Sequence, residues 1–120
     1  MRPVRIANCS GFYGDRLAAA HEMVDGGPID VLTGDYLAEL TLMILLKDRM
    51  KDPNLGYART FLRQLEEVAV TCKERGIRIV VNAGGLNPAG CAAAAVRRAP
   101  RRRARGRGRP APAGWCRTTP

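Results

Sequence analysis

An α/β fold, a partial parallel sheet of three strands with flanking helices, is predicted by three observations. Short β-branched runs alternate with apolar or amphipathic segments of helical length. Each strand run closes in a small, polar turn, at Asn8-Cys9-Ser10-Gly11, Thr33-Gly34-Asp35 and Asn82-Ala83-Gly84-Gly85. The order is strand, helix, strand, two helices, strand and the start of a helix, which implies parallel neighbours joined by right-handed crossovers. Such a Rossmann-like plan puts all three turns at the carboxyl end of the sheet, where α/β folds bind ligands.

The first strand is Val4 to Ala7. Asp15 is placed to cap the helix that follows, in which Leu17, Ala20 and Val24 recur at helical spacing. Gly26-Gly27 ends that helix and Pro28 prevents its resumption. Ile29 to Leu32 form the second strand. Asp35 is placed to cap a second helix running to about Arg49, which is apolar nearly all round and is therefore expected to be deeply buried. Asp52-Pro53-Asn54 breaks it.

The third helix, from about Gly56 to Arg75, has the cleanest period. Ala58, Phe61, Leu62, Leu65, Val68, Ala69 and Cys72 make one stripe, and Gly76 stops it. Ile77 to Val81 form the third strand, and Asn87 with Pro88 opens a last helix as N-cap and first residue. Three parallel strands leave two unpaired edges, so these residues read as the first part of a larger domain.

The charge is divided. The chain has 120 residues with 20 Lys and Arg against 11 Asp and Glu. Residues 1–90 hold 11 of the basic and all 11 of the acidic residues, so they are formally neutral. Residues 91–120 hold 9 arginines, with no lysine and no acid. Arg, Ala, Pro and Gly make up 24 of those 30 residues, the mixture that a G+C-rich gene gives when read out of frame. Residues 1–93 are therefore expected to belong to the α/β domain. Residues 94–120 are expected to be a disordered basic tail of frameshift origin, arising between about Ala92 and Arg97. Such a tail binds nucleic acid incidentally, through charge alone; an evolved Arg-rich arm is the rival reading.

Four cysteines, Cys9, Cys72, Cys91 and Cys116, form no Cys-x-x-Cys pair and have no histidine at ligand spacing, so no metal site is expected and a reducing, cytoplasmic setting fits. The longest apolar run, Tyr36 to Leu46, contains Glu39 and Thr41 and is too short to span a bilayer, so no membrane partner is expected. No Walker loop or Gly-x-Gly-x-x-Gly fingerprint occurs, and no cofactor is expected. His21, mid-helix, reads as an ordinary surface or half-buried side chain. Cys9 stands where a nucleophile can sit, but a small buried residue under a tight turn is the plainer account; Cys72 lies on the apolar stripe, and Cys91 and Cys116 belong to the doubtful end of the chain.

The candidate site is the set of turn residues. Asp35 and Asp15 are the candidate catalytic groups. Asn8, Ser10, Gly11, Thr33, Gly34, Asn82, Gly84, Gly85 and Asn87 are the candidate ligand-binding residues. Capping and turn chemistry alone explain Ser10, Asp15, Asp35, Asn82 and Asn87 one at a time; their convergence is what suggests a site.

Three stretches resemble the N-terminal domain of the acyclic terpene utilisation, AtuA-like, family: Asn8 to Asp15, Gly27 to Glu39, and Asn82 to Gly90. Gly56-Tyr57-Ala58-Arg59 resembles it too, and the likeness covers roughly residues 3–93. The resemblance implies a much longer cytosolic protein with an α/β domain, associated with catabolism of acyclic terpenes such as citronellol and geraniol or of related branched acyl-CoA compounds. It carries over no catalytic residue. It implies that this chain is an N-terminal fragment, inactive alone, whose intact relative takes a small-molecule or acyl-CoA-type ligand. In that relative the glycine turns would offer N–H donors to an anionic group, while Asp15, Asp35 or Asn82 orients the reacting end. An enzyme fragment, a non-catalytic ligand-binding module and an Arg-tailed nucleic-acid binder all remain open, as does the oligomeric state.

Overall fold

The computed structural model describes residues 2–99. The predicted alternation is present. β1 (Ile6–Asn8) is followed by α1 (Ala19–Asp25), β2 (Val31–Gly34), α2 (Glu39–Lys51), α3 (Arg59–Arg75), β3 (Arg78–Val81) and α4 (Pro88–Arg98). β1 and β2 both sit about two residues later than the β-branched runs suggested, because the parallel register pairs Ile6 with Val31 and Asn8 with Thr33. The basic tail expected over 94–120 overlaps α4 as far as Arg98, and from residue 100 onward it lies outside the described residues.

The strands pair in the order β1-β2-β3, all parallel. Both crossovers step the same way across the sheet. α1 and α3 consequently share one face and touch each other, and α4 packs beside α3. Leu32, Ile79 and Val81 point into this layer. There they meet the α3 stripe of Phe61, Leu62, Leu65, Val68, Ala69 and Cys72, all buried as the period predicted. Each such aliphatic or aromatic side chain contributes roughly 1.5–3 kcal/mol by leaving water. Gly76 ends α3 with φ +67°, a left-handed cap open to glycine at little cost.

Among the described residues, no helix covers the opposite face of the sheet. Alternation places Ile6, Val31 and Arg78 in one row there, and Asn8, Thr33 and Val80 in the next. Ile6 is 65% and Val80 59% exposed. Parallel sheets are ordinarily covered on both faces; the described residues cover one.

Three expectations need correction. α2 is not deeply buried: only Thr41 and Leu45 are, while Leu40, Leu42, Met43, Ile44, Leu46 and Met50 face outward. An apolar residue at every angle shows what a helix tolerates, not what surrounds it. Among the described residues the backbone of α2 lies close to no other helix or strand, and its one tie to α3 is the Asp48–Arg59 ion pair at 3.6 Å. It rests on loops, through Leu45 against Gly85 and through Arg49 Nη1, which donates to the Leu86 carbonyl at 2.9 Å. Neither Asp15 nor Asp35 caps a helix, since α1 and α2 begin later, at Ala19 and Glu39, with Ala18 and Ala38 at the N-cap positions and no side-chain cap. Cys91, assigned to the doubtful end of the chain, is instead buried in the core beside Phe61 and Ala94.

The carboxyl edge of the sheet as candidate functional site

The three turns converge at the carboxyl edge and are tied together by their own polar groups. Cys9 N–H donates to the Thr33 carbonyl at 2.8 Å, and Asp35 N–H to the Ser10 carbonyl at 3.0 Å. Asn8 Nδ2 donates to the Ser10 carbonyl at 2.9 Å, and the Thr33 hydroxyl lies 3.2 Å from Asn8 Oδ1. Buried Ser10 turns its hydroxyl back onto the Phe12 carbonyl. On the other side Asn82 bridges two turns. Its Oδ1 accepts from Tyr36 N–H at 2.8 Å and its Nδ2 donates to Asp35 Oδ1 at 2.7 Å.

Strand alternation orders this cluster further. Asn8 and Thr33 lie on the uncovered face, and Asp35 and Asn82, one residue past their strands, continue the same parity and are exposed. Asn8, Thr33, Asp35 and Asn82 therefore form a polar rim across all three strands. Turn positions alone predict the convergence; the shared face needs the register as well.

The two carboxylates are held in their charged form. Asp35 lies below the usual carboxylate range because the Asn82 amide and then Leu37 N–H donate to it. Asp15 is lowered likewise, by Gly11 N–H at 2.9 Å and Arg16 N–H at 2.7 Å. At neutral pH both are acceptors of hydrogen bonds and weak bases, not proton donors. Gly34 is packed by the Tyr36 ring, which lies 2.6 Å from where a Cβ would stand.

The third turn divides. Asn82 joins the rim, whereas Gly84, Gly85 and Asn87 are engaged in packing. Gly85 has φ +53°, and an added Cβ would stand 2.6 Å from Leu45 Cδ1 and 2.9 Å from the Gly56 carbonyl, so glycine is required there. A Cβ on Gly84 would meet Pro88 at 2.9 Å. Asn87 caps α4 as predicted, accepting from Gly90 N–H at 2.9 Å, and its Nδ2 reaches the Asn54 and Leu55 carbonyls. Two of the glycine N–H donors are already taken: that of Gly11 goes to Asp15 and that of Gly85 to the Asn82 carbonyl.

Beneath the rim lies a pair that periodicity did not reveal. Tyr36 and Gln64, both buried, hydrogen-bond side chain to side chain inside the core. Burial pushes the Tyr36 phenol well above its usual range and the neighbouring Cys9 thiol up as well, so Cys9 is a core residue and not an activated nucleophile. The void they line, about 10 Å³, has room for no more than one water. Gln64 sits in an otherwise apolar stripe, and a polar residue in such a stripe was the available signal. His21 is exposed and pairs with Asp25 at 3.0 Å. Among the described residues no cluster of His, Cys, Asp and Glu is arranged to hold a metal ion, and no helix is long and apolar enough to cross a membrane.

A family model described as acyclic terpene utilisation family protein AtuA matches residues 4–107, beyond residue 93, where the motif likeness ends. No curated protein and no solved structure matches the chain.

Proposed function

The chain belongs to the acyclic terpene utilisation AtuA family, and from that premise we propose that its polar rim is the part of the protein that meets an acyclic, branched substrate. The supporting observation is the alignment on one face, over all three strands, of two hydrogen-bonded pairs, Asn8 with Thr33 and Asp35 with Asn82. Asp35 offers a fixed carboxylate and Asn8 an amide, a set suited to a hydroxyl or amide-like end of the ligand. The negative charge of Asp35 and Asp15 disfavours a bare anion beside them. The phosphates of an acyl-CoA would therefore lie away from the rim, with its thioester end towards Asp35.

In this reading the chain contributes to catabolism of acyclic terpenes or related branched acyl compounds through binding. Turnover would need a layer that excludes water from the rim, because an exposed carboxylate is a weak base. The test is a titration of the isotope-labelled chain with citronellol, geraniol and branched acyl-CoA esters, read by amide chemical shifts. Perturbation centred on Asn8, Thr33, Asp35 and Asn82 is expected, weakened by Asp35→Asn, which keeps the Asn82 hydrogen bond. Absence of any shift at these residues across chain lengths would overturn the proposal.

A further inference from the structure

The outward side of α2 carries its own order. Glu39, Met43, Leu46 and Met50 follow one another at intervals of four, three and four residues, all exposed, the spacing of a coiled-coil seam. Met43 is 56%, Leu46 50% and Met50 78% exposed. The charges are polar along the axis, with Glu39 in the first turn and Arg49 and Lys51 in the last. Neither Glu39 nor Lys51 has an ion-pair partner among the described residues.

We infer that α2 is a self-association element, through which two copies of this chain pair antiparallel about a two-fold axis between Met43 and Leu46. That axis sets Met43 of one copy on the same seam level as Leu46 of the other, and Met50 beside Glu39. Glu39 then comes within reach of Lys51 of the second copy, and the two-fold repeats the pair at the other end. Parallel pairing would instead stack Glu39 on Glu39 and Lys51 on Lys51. Charge complementarity thus selects the occupant and its direction, and opposed helix dipoles agree with it. A 13-residue helix is about 20 Å long. Its seam belongs at the small end of specific interfaces, near or below about 1,200 Å² in total, so the dimer is weak and concentration-dependent.

Sedimentation equilibrium of the full chain near physiological salt tests this. A monomer–dimer equilibrium is expected, weakened on the order of tenfold by Met43→Gln/Leu46→Gln, which keeps helix propensity and alters only exposed side chains. Lys51→Glu alone is expected to weaken the dimer, and Glu39→Lys/Lys51→Glu to restore it. Circular dichroism confirms that each variant retains its helix content. A monomer at every concentration, assembly beyond the dimer, indifference to Met43→Gln/Leu46→Gln, or failure of the double reversal to restore pairing would each overturn the inference.

Discussion

Asp30 is the most heavily bonded single carboxylate. It accepts from Arg5 backbone N–H at 2.8 Å, from Arg5 Nε at 3.2 Å and from Arg2, while its own backbone joins the segments entering β1 and β3. The Arg5 guanidinium and N–H hold its pKa at about 2. A depressed carboxylate stabilises the fold fully above its unfolded value of about 4 and loses that contribution as pH falls through about 2. The urea midpoint should therefore drop more steeply on acidification across that window in the natural chain than in Asp30→Asn. The two curves should converge at the acid end, and parallel curves would show that Asp30 is not coupled to folding. The sequence marks Asp30 only as a member of the strand run Ile29 to Leu32, because its arginine partners lie 25 and 28 positions away.

At the scale of elements, α2 and α3 contrast. α3 was legible because its apolar residues occupy one angle and its charged residues the others; such a pattern states which side is buried. α2 presents leucine and methionine at almost every angle, which carries no directional information, and its expected burial was wrong. Its anchor is Leu45, fully buried against the Gly85 turn. Leu45→Ala should cost about 2–5 kcal/mol. Because α2 rests on loops apart from one partly exposed ion pair, Asp48 with Arg59 of α3 at 3.6 Å, the loss should appear as release of that helix. Hydrogen exchange should accelerate at the α2 amides and leave those of α3 protected; uniform acceleration in both helices would contradict this.

For the whole molecule, charge and fold are segregated. The first 90 residues are formally neutral and the remaining 30 carry 9 arginines, of which Arg98 pairs with Glu66 at 3.3 Å. Any affinity for nucleic acid should reside in the last residues. Filter binding of the full chain is expected to fall steeply with salt, and a chain ending at residue 99 should lose most of it. Equal binding by both would place the interaction on the α/β unit. The parallel sheet and the convergence of the turns were legible because strand spacing and crossover length leave few topologies open. The division of the third turn was not, since Gly85 is dictated by Leu45, forty residues away in the chain.

The uncovered sheet face bears on the chemistry of the rim. Asp35 is held low by two donors while water still surrounds it. Any layer laid over Ile6, Val31 and Val80 would take away that water without removing the Asn82 donor. Desolvation raises the proton affinity of a carboxylate, so the same side chain would shift from spectator anion towards a stronger base. Basicity at this rim would thus depend on whether the face is covered, and not on Asp35 and its donors alone.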